Sequence, residues 1–272
     1  MQHFFVEPSQ IQGNRIHITG TDVNHIRNVL RMRPGEEISV SNGVDGREYR
    51  CEIDTLGEEE ILCRLMFIKE DGVELPVRIT LFQGLPKADK MELIIQKAVE
   101  LGAYEIVPVA TARSVVKLDE KKARAKTERW QGISEAAAKQ SRRAVVPAVQ
   151  QPLSMRQALA QAAEMEIAAI PYELAEGMAA TDRFLEAVCA LAKKRTKEGE
   201  TLQVGIFIGP EGGFTEEEIT AAKEMGIQPV SLGRRILRTE TAGLAVLSVL
   251  MYHLEERGSF QAEEFHGQKK DI

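Results

Sequence analysis

Toward the C-terminal end of the 272-residue chain, three arginines and a glutamate crowd into one short stretch, GRRILRTETAG, where Arg234, Arg235, Arg238 and Glu240 surround Ile236 and Leu237. Cations at that density bind a polyanion or stabilise negative charge that develops in a reaction. Arg238 is the candidate for holding such an anion, and Glu240 is the weaker candidate for taking a proton. An Arg238–Glu240 ion pair that only keeps the loop in shape fits the same residues. Upstream lies a second unusual stretch, GPEGGF, in which Gly209, Gly212 and Gly213 leave the backbone free to approach a ligand while Pro210 stiffens the turn.

Each stretch follows an apolar strand and precedes a helix, QVGIFI before the first and PVSL before the second. In an open α/β sheet, ligands bind where strands end and helices begin, so the two loops predict one shared pocket. Its expected first wall is Gly209, Pro210, Glu211, Gly212 and Gly213. The second wall is Leu232, Gly233, Ile236, Leu237, Arg238, Thr239, Thr241 and Ala242, with Leu232, Ile236 and Leu237 suited to an adenine and Thr239 or Thr241 capping the next helix.

Neither GxGxxG nor GxxxxGK[ST] is present, so the usual phosphate cradles are absent. The helix after GPEGGF opens with Thr215, Glu216, Glu217 and Glu218, where Thr215 and Glu218 form a capping box and three carboxylates would repel a phosphate. S-adenosylmethionine, an adenosine with a sulfonium and no phosphate, fits such a pocket. A tight strand-to-helix connection without a ligand fits the glycine loop equally well.

The pair of loops resembles the SPOUT superfamily of methyltransferases, and its wording is similar to the bacterial 16S ribosomal RNA uridine N3-methyltransferase family. The similarity runs through HIRNVLRM, GLPKADKMELIIQKAVELGA, ARSVVKLD, EAAAKQSRR, GPEGGF and LGRRILRTETA. His3 and Arg234 depart from the arginine and proline usual at those places in that family. The resemblance implies an N-terminal PUA-like β-barrel that binds RNA, followed by a SPOUT α/β domain with a C-terminal trefoil knot. It also implies S-adenosyl-L-methionine as cofactor and a homodimer with its pocket near the subunit interface. The implied partner is 16S ribosomal RNA in the small ribosomal subunit. A SPOUT enzyme acting on a ribose 2′-hydroxyl or a tRNA base is the near rival, and a non-catalytic dimeric RNA-binding protein is the rival from another class.

A net charge of −6 is unexpected for an RNA enzyme until it is resolved along the chain. Residues 113–143 hold ten Lys or Arg against four Asp or Glu, a local +6 that leaves −12 elsewhere. Such asymmetry is an electrostatic footprint for nucleic acid, and a solvated helix face laced with i,i+4 pairs would look the same. Candidate RNA contacts in and around this stretch are Arg113, Lys117, Arg142 and Arg143, joined by Arg27 and Arg31 nearer the N-terminus. The first residues lack a signal peptide's basic start and apolar run, and no apolar segment is long enough for a bilayer. Cys51, Cys63 and Cys189 have no CxxC spacing and the histidines are scattered, so a reduced, cytoplasmic protein without a metal site is expected.

Short strands are expected at 4–6, 15–19, 37–41, 48–54 and 61–68, with Asn42-Gly43, Asp45-Gly46 and Leu56-Gly57 as turns, the pattern of a small barrel. One helix, TDVNHIRNVLRM, interrupts them, with Val23, Ile26, Val29 and Leu30 inward and Arg27 and Arg31 sharing its outer face. The polar link at 70–76 sets a boundary between a barrel of residues 1–72 and a methyltransferase domain of residues 76–257. Beyond it, strands and helices alternate as in a mostly parallel sheet. A helix apolar nearly all round follows from residue 240, buried within the core or against a second copy, and residues 258–272 form a polar tail.

Overall fold

The computed structural model describes residues 1–69, 73–173, 175 and 177–266, those from 256 onward as backbone alone. Glu70, Asp71 and Gly72 of the expected link, and 267–272 of the expected tail, lie outside the described residues. The chain divides into two compact units, Met1–Glu74 with Glu135–Val146, and Leu75–Ser134 with Pro147–Ile272. Residues 135–146 therefore group with the N-terminal unit, which the reading of a boundary at 70–76 did not foresee.

The first unit holds strands β1 (His3–Phe5), β2 (Ile11–Gln12), β3 (Arg15–Thr19), β4 (Glu37–Ser41), β5 (Glu48–Leu56) and β6 (Glu60–Lys69). They form one sheet in the order β1-β4-β5-β6-β3-β2, antiparallel except between β1 and β4. Tyr49, Cys51 and Ile53 alternate inward along β5, as do Ile16 and Ile18 along β3, so one face is apolar. Phe4 near one end of the ladder and Ile16 near the other share a single core cluster, so the sheet wraps that core, although its ends do not pair among the described residues.

The expected helix is shorter and wider than its periodicity suggested. Helix α1 (Thr21–Asn24) passes into a π-helical turn, His25–Val29, in which the Leu30 N–H reaches the His25 carbonyl at 2.9 Å. Five-residue spacing carries each later side chain off the 3.6-residue face. Val23 and Ile26 stay buried, but Val29, expected inward, is 63% exposed. Arg31, expected one turn above Arg27, lies beyond the helix at φ +55° and shares no face with it. Arg27 itself donates to the Gly57 carbonyl at 2.9 Å.

A second correction concerns Arg143. It was expected to contact RNA, yet it is 4% exposed, and its Nε donates to the Glu74 carboxylate at 2.9 to 3.0 Å. The same carboxylate accepts from the Ala144 and Val145 N–H groups at 2.8 and 3.2 Å. A desolvated guanidinium requires such a partner, and the pairing closes off its phosphate-binding edge. Arg142 stays exposed because it takes the left-handed conformation, φ +58°, that ends the preceding helix.

In the second unit, strands β7 (Val77–Gly84), β8 (Ala103–Ala110), β9 (Ala148–Val149), β10 (Leu153–Ser154), β11 (Ile167–Pro171), β12 (Leu202–Ile208) and β13 (Gln228–Val230) pair in parallel throughout. Their order is β10-β8-β7-β12-β11-β13, with β9 beside β8. Helices α2 (Lys90–Glu100), α3 (Glu120–Ser141, whose residues from 135 onward group with the first unit), α4 (Met155–Ala163), α5 (Ala179–Lys197), α6 (Glu216–Glu224) and α7 (Thr239–His266) complete the alternation. β7 and β12 are buried nearly end to end, and Phe82 stacks on Phe207 with centroids 4.4 Å apart. α7 packs on α2 and α5 and continues through residues expected to be tail.

Arg143→Ala strands the Glu74 carboxylate in a half-buried site. The expected outcome is a loss of about 3 kcal/mol of unfolding free energy, read by urea titration, while Arg142→Ala at the exposed neighbour changes it by less than about 1 kcal/mol.

Candidate active site

Because β12, β11 and β13 are neighbours and parallel, the segments that leave their C-terminal ends emerge side by side. The glycine loop follows β12 and the arginine loop follows β13. The strand between them, β11, runs into Tyr172 and Glu173, which the sequence reading passed over. Together these segments line a cavity of about 420 Å³.

The glycine loop descends onto the end of β7. A Cβ on Gly84 would lie 2.6 Å from Pro210 Cδ and 2.7 Å from its nitrogen, so only glycine allows that approach. On the other side, Gly212 meets the segment after β8, where Arg113 Nη1 donates to the Gly212 carbonyl at 2.9 Å. The Ala112 N–H donates to Glu218 at 2.8 Å, and Glu218 also closes the Thr215 capping box at the start of α6. That helix N-terminus is thereby occupied by the protein's own carboxylate rather than left open to an anion.

The start of α7 is tied to the same loop from below. The Thr239 hydroxyl donates to the Gly209 carbonyl at 2.6 Å and accepts from Gln83 Nε2 at 2.9 Å. Thr239, expected as a possible cap, is the helix's first residue and links two loops instead. Gln83 is fully buried, and Nε2 also donates to the Gly84 carbonyl at 3.0 Å.

Charge fixes the arrangement further. Lys90 on α2 lies 3.0 Å from Glu211 in the glycine loop and 3.2 Å from Glu240 on α7. Glu211 first and Glu240 second raise the Lys90 ammonium above its ordinary range. Partial burial pushes the Glu211 carboxyl up, but its own N–H, Lys90 and the Lys87 N–H together outweigh that and leave it low. Glu240 is also held low, chiefly by its own N–H, with Lys90 and Arg238 adding to it against burial. A carboxylate kept ionised in this way is a weak proton acceptor, so its geometry favours a supporting role over the expected role of base.

All the expected residues of both loops line the cavity except Thr241, which is exposed on the first turn of α7, and Glu240, which meets Lys90. Leu232 and Leu237 are half-buried, whereas Ile236 is 87% exposed at the mouth. Arg234, Arg235 and Arg238 are exposed there too; their guanidinium groups make no hydrogen bond or ion pair among the described residues, while the Arg238 carbonyl accepts from the Thr241 and Ala242 N–H groups at 2.9 and 2.8 Å. Lys90, Tyr172 and Glu173 line the cavity without having been foreseen. Their signal is positional: Glu173 lies just beyond the end of β11, and Lys90 is the first residue of α2. Of the other expected RNA contacts, Arg27 and Arg142 belong to the first unit, and Lys117 in the second is exposed.

Gly212→Asp would place a Cβ 2.9 Å from Arg113 Cβ and add a carboxylate beside the cavity. The expected outcome is loss of S-adenosylhomocysteine binding by calorimetry, with a melting temperature within a few degrees of the parent.

Comparison with known proteins adds an independent line. A family model described as an RNA methyltransferase domain matches residues 73–251, and one described as an RNA methyltransferase PUA domain matches residues 18–66. The ribosomal RNA small subunit methyltransferase E of Bacillus subtilis is 40% identical over 258 residues, covering 94% of this chain and 98% of the relative. The protein of the same name from Mycobacterium tuberculosis is 33% identical, covering 91% of this chain and 90% of its own length. Among solved structures, a ribosomal RNA small subunit methyltransferase E from Neisseria gonorrhoeae bound to S-adenosyl methionine superposes with a TM-score of 0.74 at 30% identity, covering 93% of this chain and 97% of that one.

Proposed function

This chain belongs to the RNA methyltransferase family, with residues 18–66 matching an RNA methyltransferase PUA domain, and we propose that it uses S-adenosyl-L-methionine to methylate N3 of one specific uridine of 16S ribosomal RNA in the small ribosomal subunit. The observation that carries the reading is the cavity itself. It lies at the ends of three adjacent parallel strands, is cradled by glycine backbone, and is flanked by a helix start already closed by Glu218. Its volume, about 420 Å³, is in the usual range for small-molecule sites. These features fit an adenosyl ligand without phosphate.

The bound cofactor supplies an electrophilic methyl group on a sulfonium. The chain's residues make the uridine able to accept it. In neutral uridine N3 carries a proton, and its lone pair is delocalised into both flanking carbonyls. Loss of that proton to solvent, before or during a methyl transfer that releases S-adenosylhomocysteine, places negative charge on the two carbonyl oxygens. Arg238, exposed at the cavity mouth with a guanidinium that makes no hydrogen bond among the described residues, is the cation that stabilises this charge, an effect of roughly 3 kcal/mol in a water-poor site. Glu240 and Lys90 hold the α7 start that presents it. Gly209, Pro210, Glu211, Gly212, Gly213 and the Leu232 to Ala242 wall hold the cofactor.

The same reading makes Arg27, Arg31, Arg113, Lys117 and Arg142 contacts to RNA phosphate. It also makes the protein a cytoplasmic homodimer with its C-terminal segment tied as a trefoil knot. Support for the dimer comes from α7, where Ala245, Ser248, Val249 and Tyr252 form one stripe at helical spacing, with Val249 41% and Tyr252 60% exposed. Support for the knot is the family resemblance together with the return of Thr239 to the Gly209 carbonyl.

Mass spectrometry of ribosomal RNA nucleosides from a deletion strain tests the reaction: N3-methyluridine should vanish and return with the restored gene. Loss of a 2′-O-methyl or tRNA base mark instead would reassign the substrate, and no change would leave an RNA-binding protein. Arg238→Lys should keep affinity for S-adenosylhomocysteine and lower turnover on the order of 10²-fold, with partial recovery as rising pH ionises more uridine. Lost affinity without pH recovery would make Arg238 a scaffold residue.

A further inference from the structure

The cavity contains two carboxylates, and they stand in opposite situations. Glu211 is occupied by Lys90 and by the Lys87 N–H. Glu173 also lines the cavity, and no hydrogen bond or ion pair engages its carboxylate among the described residues. Its backbone neighbour is fixed, because the Tyr172 N–H donates to the Val230 carbonyl at the end of β13 at 3.0 Å. β11 lies between β12 and β13, so the residues that leave its end stand between the two loops that form the walls.

We propose that Glu173 is a cofactor-recognition residue whose carboxylate accepts hydrogen bonds from the vicinal ribose hydroxyls of the adenosyl ligand. The inference rests on the cofactor assignment above and names a contact that neither loop supplies. Two carboxylate oxygens match two adjacent hydroxyl donors, and a strand-end acid serves nucleoside ribose in the same way in other open α/β sheets. The remaining lining charges suit other parts of the ligand. Arg234, Arg235 and Arg238 are donors only, as is Lys90, so none of them can accept from a hydroxyl. The apolar wall of Leu232 and Leu237 offers a ring no acceptor side chain.

Calorimetry on the full chain with two probes tests this. S-adenosylhomocysteine carries adenine, ribose and the amino-acid arm, whereas 5′-methylthioadenosine keeps the adenine and ribose and lacks the arm. Glu173→Gln and Glu173→Ala should weaken both probes by the same factor, about tenfold or more, at an unchanged melting temperature. Unchanged affinity for both probes would overturn the proposal. So would weakened S-adenosylhomocysteine with unchanged 5′-methylthioadenosine, which would move the carboxylate to the ligand's ammonium. If the parent chain binds neither probe, the cofactor assignment itself fails and takes this inference with it. A parent that binds beside insensitive variants overturns the role of Glu173 alone.

Discussion

A carboxamide buried beyond the reach of water has to find partners within the protein, and the Gln83 amide nitrogen finds two where strand, loop and helix meet, while its Oε1 has none among the described residues. Its amide donates to the strand's last carbonyl and to Thr239, and Thr239 passes a hydrogen bond on to Gly209. One relay therefore fixes the start of α7 against the glycine loop. The close approach at Gly84 then follows, since the loop can sit on β7 only where no Cβ stands in its way. Both walls of the cavity depend on this buried relay, although none of its polar atoms needs to touch the ligand.

Lys90 performs the outer half of the same task by charge. Because Glu211 and Glu240 are held below ordinary carboxylates and Lys90 above an ordinary ammonium, their attraction is complete between those ranges, lost as pH falls through the depressed carboxyl values and lost again as pH rises through the raised Lys90 value. Near neutral pH the scaffold is electrostatically constant. Any ionisation that governs the reaction must then arise in the RNA base or in a group outside this triad. All three side chains are solvent-accessible enough that their value lies in positioning rather than in stability.

Much of this was legible in the residues. Strands at 15–19 and 37–41 stand where alternation placed them, because each has one apolar face and a clear boundary signal. The two loops announced themselves through glycine and arginine content. What periodicity could not show were events that depend on distant partners. Arg143 reads as one of a basic run, and Glu74, some seventy positions away, pairs with it in its buried position. The π-helical turn leaves no mark in a hydrophobic pattern, yet it turns Val29 and Arg31 away from their expected places. Glu173 carried no motif at all, since its significance lies in strand order, which places β11 between two strands that come later in the chain.

That strand order also affects how the chain can be made. β7 takes its long central pairing from β12, where Val77 meets Leu202, 125 residues later. At a ribosomal rate of about 5 to 20 residues per second, β7 would emerge roughly 6 to 25 s before the strand that completes it. Through that interval β7 presents one unsatisfied edge, bearing Ile79, Leu81 and Phe82, to whatever else is nascent nearby. The sheet is thus committed to post-translational or very late closure, and its vulnerability to misassociation is greatest while its own central strand is still being synthesised.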